Sequence, residues 1–126
     1  QQWKCDMTLK RIHSGKPFET KIGYCRAVVA GGFVHVAGTV GQGDTVEAQC
    51  ASALEIIGKA LSEAGSGFDK AVRVTYMLPN AADFEACWPL LRETFGDNPP
   101  AATMIECGLI DPKFLIEIEV TAFAGT

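Results

Sequence analysis

Glu117 and Glu119 stand two residues apart in the run FLIEIEVTAF, residues 114–123, close to the carboxy terminus. Side chains alternate between the faces of an extended strand. These two carboxylates therefore share one face, Ile116, Ile118, Val120 and Ala122 share the other, and Leu115 falls out of phase. On a wet face such a pair is ordinary. If another subunit covers the face, two adjacent charges become costly, a carboxyl keeps its proton to higher pH, and the pair suits general acid–base work on water.

The remaining reactive side chains point away from other chemistries. Five cysteines, Cys5, Cys25, Cys50, Cys87 and Cys107, are odd in number, widely spaced and without a C-x-x-C pair. Reduced thiols in a cytosol-like compartment fit that pattern better than a disulfide framework or a zinc site. His13 and His35 share no ligand spacing with a cysteine, so no metal is expected. Cys107 has no His or Lys predicted beside it to make a thiolate, and a buried, inert thiol is the expectation.

Composition narrows the class further. A chain of 126 residues is read as one domain with a sizeable core, and 48% hydrophobic against 21% charged residues describes a soluble globular protein, not a disordered one. A net charge of −4 without a basic patch disfavours nucleic acid as a partner. The apolar runs fall far short of the ~20 residues a membrane helix needs, and Lys4, Asp6 and Lys10 leave no apolar signal segment at the amino terminus. No membrane partner and a cytoplasmic location are the resulting expectations.

The elements that must position the carboxylates can be read in order. Residues 7–12 form a first strand, and HSGKPFETKIG, residues 13–23, reads as a loop. Residues 25–30 and 33–37 flank Gly31-Gly32 and predict a tight hairpin, with Val34 and Val36 on one face and Phe33, His35 and Ala37 on the other. GTVGQGD, residues 38–44, is a glycine-rich loop, and Asp44 or Thr45 caps a helix over residues 46–64 whose inner face carries Cys50, Leu54, Ile57 and Leu61. Residues 71–78 alternate as a strand closed by Pro79-Asn80. Phe84, Cys87, Trp88, Leu91 and Phe95 repeat at helical spacing, with Pro89 expected to kink that helix. Two strands, 103–109 and 114–123, are joined by a turn at Ile110-Asp111-Pro112. Two helices can cover only one face of the resulting six-stranded sheet, and the other face must be polar or paired with another chain.

GYCRAVVAGGFVHVAGT together with PPAATMIECGLIDPKFLIEIEV resembles the Rid family of reactive intermediate deaminases, the YjgF or L-PSP group, over residues 22–124. The resemblance implies an α+β, chorismate-mutase-like fold with a six-stranded, mostly antiparallel sheet and two helices on one face. It also implies a homotrimer with small-molecule clefts between subunits. The reaction implied is hydrolysis of an enamine or imine to a ketone and ammonia, with no metal and no organic cofactor.

Position by position, the resemblance puts the cleft tyrosine on Tyr24, the serine-glycine motif on Ala37 and Gly38 followed by Thr39, and a cleft asparagine on Trp88. The arginine that grips a substrate carboxylate falls on Ala102, the small or sulfur-bearing residue two positions on falls on Met104, and the water-activating glutamate falls on Glu117. Backbone amides near Thr103 would help Tyr24 and Thr39 orient the substrate. Ala102 cannot imitate a bidentate guanidinium, so the chain resembles an arginine-less subgroup, and amino-acid-derived enamines fit it poorly as substrates.

Each of these residues also has a plain reading. Glu117 can be a solvated strand carboxylate, and Tyr24 can simply close the loop before strand two. Trp88 is expected in the core and His35 in a hydrogen-bonded structural role; Arg26 could reach into the cleft from strand two and replace the lost charge, but an exposed strand arginine is the expectation. The functional readings are therefore three: an imine or enamine deaminase, a non-catalytic trimer that binds a small metabolite, and, ranked last, an endoribonuclease, against which acidic composition and the lack of a His-Lys constellation argue.

Overall fold

The computed structural model describes residues 9–125. Six strands, β1 (Lys10–Ile12), β2 (Ala27–Ala30), β3 (Phe33–Val40), β4 (Ala71–Leu78), β5 (Ala101–Glu106) and β6 (Glu117–Phe123), form one sheet in the order β1-β2-β3-β6-β4-β5. Only the β4–β5 pair is parallel. Three helices accompany it: α1 (Pro17–Ile22), α2 (Val46–Glu63) and α3 (Trp88–Phe95).

Alternation decides which side of the sheet is covered. Val34, Val36, Val74, Leu78, Ile118, Val120 and Ala122 point to one face and are buried against Cys50, Ile57 and Leu61 of α2 and Leu91 and Phe95 of α3. On the opposite face Phe33, His35, Glu119 and Phe123 are exposed, and Phe33 meets Phe123 edge-on with ring centroids 5.8 Å apart. The expectation of helices on one face and a bare second face holds.

Local chemistry explains the ends of these elements. Gly31 and Gly32 both take positive φ, +59° and +83°, which a two-residue hairpin turn of this hand requires. Thr45, not Asp44, caps α2, its hydroxyl accepting from the Ala48 amide at 3.1 Å. Inside α2, the buried Gln49 side chain donates to the carbonyls of Gly43 at 3.0 Å and Lys113 at 2.9 Å, and accepts from the Leu115 amide at 2.8 Å. It ties two loops to the helix just before β6 begins.

Several expectations need correction. Residues 13–23 are not all loop: Pro17 opens α1 at its first turn, where a missing N–H costs nothing, and Gly23, at φ +95°, closes it. Pro89 does not kink a continuous helix. A 3-10 segment, Ala81–Cys87, precedes α3, and the proline sits in the first turn of α3. The strands expected over 103–109 and 114–123 are Ala101–Glu106 and Glu117–Phe123, so the turn between them is longer than Ile110-Asp111-Pro112. Of the first expected strand, residues 7–8 lie outside the described residues.

Candidate functional site

Glu117 opens β6 between Val40 of β3 and Met77 of β4, and Glu119 follows on the same face opposite Thr75. Its surroundings depend on a one-residue bulge in β3. Val36 pairs with Val120 and Thr39 with Ile118, so three steps along β3 match two along β6. The extra residue changes the phase of the strand. Val36 and Thr39 both turn into the core, and Ala37 and Gly38 are left toward the other side. A β-carbon on Gly38 would collide with the Glu117 carboxylate, which lies directly over the Gly38 backbone. Burial, and after it the neighbouring Glu119, push the Glu117 carboxyl above its ordinary pKa, with Arg26 pulling the other way.

Arg26 is the cation of this region, and it is not the exposed strand arginine expected from sequence. It is 7% exposed. One amine, Nη2, donates to the Gly38 carbonyl at 2.8 Å, and the guanidinium lies 5.7 Å from the centre of the Tyr24 ring. Its buried Nε has no partner among the described residues. Glu19 of α1 is also buried, accepting from the Ser14 amide at 3.1 Å and from the Ser14 hydroxyl, with His13 Nδ1 3.6 Å away. Burial works to raise the Glu19 pKa. The Ser14 hydrogen bonds, with Arg26 and His13 adding positive charge, outweigh it, and the net direction is down.

Of the nine residues singled out in the sequence, eight divide among four places. Tyr24, 37% exposed, and Ala37 line a hollow of about 760 Å³ together with Arg11, His13, Glu19 and His35. Gly38 and Glu117 touch one another beside it. Trp88 and Ala102 line a second hollow of about 350 Å³, with Tyr76, Arg92, Phe95 and Pro99. Thr103 and Met104 lie on β5 at the far edge of the sheet, where the Thr103 hydroxyl accepts from Arg73 at 3.1 Å. Thr39 belongs to none of these. It is buried on the core side, with its hydroxyl given to the Ala37 carbonyl at 2.7 Å.

Two plain readings are corrected as well. Trp88 is not core: it is 45% exposed, at the start of α3, edge-on to Phe84 with centroids 6.4 Å apart. Cys107 is half-buried, whereas Cys50 and Cys87 are the fully buried thiols. The residues that sequence reasoning missed are Glu19 and Gln49, together with the true place of Arg26. Pro17 and Gly23, six residues apart, were the available signal for a helix carrying Glu19. Gln49 sits beside Cys50 on the inward face of α2, and that position was the only hint of its burial.

Among the described residues no three of His, Cys, Asp and Glu gather as metal ligands, and no described helix is long and apolar enough to cross a membrane.

Known proteins place this architecture. A family model described as Endoribonuclease L-PSP matches residues 15–124. An uncharacterized protein of Streptomyces coelicolor is 33% identical over 126 residues, covering 93% of this chain and 93% of that protein. The RutC family protein UK114 of Drosophila melanogaster is 32% identical over 113 residues, covering 82% of this chain and 80% of its own. Among solved structures, a Mycobacterium tuberculosis member of the YjgF/YER057c/UK114 family superposes with a TM-score of 0.89 at 36% identity, over 92% of this chain and 99% of that one. The matched length, the identity and the close superposition lead to one assignment: the chain belongs to the Rid family, the YjgF/L-PSP group.

Proposed function

We propose that the site hydrolyses a small imine or enamine, with Glu117 taking the proton of the attacking water and returning one to the departing nitrogen. Water adds to the imine carbon, the C–N bond breaks, and the products are a carbonyl compound and ammonia. An enamine first takes a proton on carbon to become the imine. The observation that supports this reading is the state of Glu117: a half-buried carboxylate, pushed above its ordinary pKa by burial and by Glu119, lying over the Gly38 backbone and feeling the charge of Arg26, on which Tyr24 packs. A base whose pKa is drawn toward working pH is better matched to proton transfer in both directions.

Ammonia release from unstable enamines generated in situ tests the reaction. Gly38→Ala is a sharp probe, because the three atoms nearest the new methyl group all belong to the Glu117 side chain, which must be displaced. We expect the fold to survive with a loss of about 1–3 kcal/mol and the rate to fall by at least about tenfold. An unchanged rate would mean that the position of Glu117 is irrelevant to turnover.

We further propose that the working unit is a trimer whose clefts join the Tyr24–Glu117 side of one chain to the Trp88–Ala102 side of the next. Within one chain β3, β6 and β4 separate β2 from β5, a distance of roughly 19 Å at the usual strand spacing. Tyr24 and Ala102 therefore meet only across a subunit boundary. Exposed Phe33, Val72, Met104, Ile105 and Phe123 give the uncovered face and its edge an apolar character that suits a partner. Light scattering at micromolar concentration should report three chains per particle, and a persistent monomer would remove the composite cleft.

A binding module without turnover is the second reading, favoured by the hollow of about 760 Å³ beside Tyr24, which is within the size range of ligand sites. Ligand-induced stabilisation without any ammonia release from the enamine panel would select it.

A further inference from the structure

We propose that Arg26 is the anion anchor of this site and that it takes the carboxylate of a small monocarboxylate ligand, with the ring of Tyr24 as its cover. The inference rests on reading Tyr24, Gly38 and Glu117 as parts of one pocket, and it does not depend on turnover.

The argument starts from an imbalance. A guanidinium carries five N–H donors and a charge it cannot lose, and burying it without an acceptor and a counter-charge is costly. Arg26 is buried, yet among the described residues its guanidinium makes one hydrogen bond, to the Gly38 carbonyl at 2.8 Å, and its Nε is left without an acceptor. No carboxylate oxygen of a described residue comes within the 4.0 Å of an ion pair: Glu19 is held by Ser14 and His13, and Glu117 lies over Gly38. Both acids feel the charge of Arg26 from further off. The site therefore holds a desolvated cation that is surrounded by negative potential but lacks a directly bonded anion.

A ligand carboxylate supplies what is missing. It is planar, carries one charge and accepts two parallel N–H bonds from a guanidinium. A phosphate dianion would bring a second negative charge toward two carboxyl groups that already feel Arg26, so the carboxylate is the better fit. The position also matters. Ala102, on β5, offers no charge, whereas the Arg26 guanidinium is bonded to the carbonyl of Gly38, the residue whose backbone the Glu117 carboxylate overlies. A ligand held there by its acid group would be bound next to the residue against which Glu117 packs.

The test is a titration of the full chain with propionate, benzoate, their neutral amides and inorganic phosphate, read by melting temperature and by the Arg26 Nε resonance in labelled protein. We expect both carboxylates to shift that resonance and raise the melting temperature, with each amide at least about tenfold weaker, a difference of about 1.4 kcal/mol. Arg26→Lys should weaken carboxylate binding by a similar factor because an ammonium lacks the fork, and Arg26→Met should abolish it. Should the methionine variant fail to fold, the lysine variant and the Nε resonance decide the matter. Glu117→Gln should still bind propionate even where hydrolysis is lost, which separates this inference from the proposed reaction. Equal affinity for acid and amide, a carboxylate that leaves the Arg26 resonance unmoved, or tighter binding of phosphate than of propionate would each overturn it.

Discussion

Glu117→Gln should lower the proposed hydrolysis by about 10²–10⁴-fold, the usual contribution of a positioned acid–base group, while the fold and the proposed trimer remain. Glutamine keeps the size of the side chain and its place over Gly38 but cannot take a proton from water. Stability should move the other way. Burial and Glu119 raise the Glu117 pKa in the folded chain above its unfolded value. A group of that kind favours the native state most fully below the unfolded pKa, and the advantage disappears as pH rises through the folded value. At neutral pH the wild-type carboxylate is thus a burden on the fold, and glutamine removes it. Thermal melts at pH 4 and pH 8 should show the variant gaining on the wild type as pH increases. Full activity in this variant would eliminate Glu117 as the group that handles the proton.

Gln49→Leu should produce the largest loss of stability. The leucine fills the space but leaves the Gly43 and Lys113 carbonyls and the Leu115 amide without their partners, now held at 3.0, 2.9 and 2.8 Å. At about 1–3 kcal/mol for each stranded group, reduced where water can enter, the expected cost is roughly 3–5 kcal/mol. For a chain of this size that corresponds to a fall in Tm of roughly 12–20 °C. Activity should fall beyond what unfolding explains, because Leu115 is two residues from Glu117 and its amide anchors the approach to β6. Gln49→Glu keeps an acceptor for Leu115 and loses both donations, and should lie between the two. A change in Tm within a few degrees of wild type for the leucine variant would mean that the loops hold their shape unaided.

What the sequence displays well is whatever repeats. The Gly31-Gly32 hairpin, the inward face of α2, strand β4 and the alternation that separates Ile118 and Val120 from Glu117 and Glu119 are all periodic signals, and each survives in the structure. What escaped detection is non-periodic or long-range. Helix α1 has six residues, too few to display a period. The bulge in β3 is a single inserted residue, so strict alternation puts Thr39 on the wrong side of the sheet. Arg26 reads as exposed because nothing local reports that Tyr24 folds over it and that Gly38 offers it a carbonyl twelve residues away. Trp88 matches the helical spacing of its neighbours, but the break into a 3-10 segment before it rotates that spacing outward.

Strand β5 has one neighbour, β4, and ends the sheet with Met104 and Ile105 uncovered. Its outer row of amides and carbonyls is a template for any extended chain that reaches it. If the chains assemble as proposed, newly made copies are in a race, in which orderly docking competes with indiscriminate adhesion along this rim. Yield on refolding should depend on how that race is run: very dilute chains wait too long for a mate, and crowded ones meet the wrong surface first.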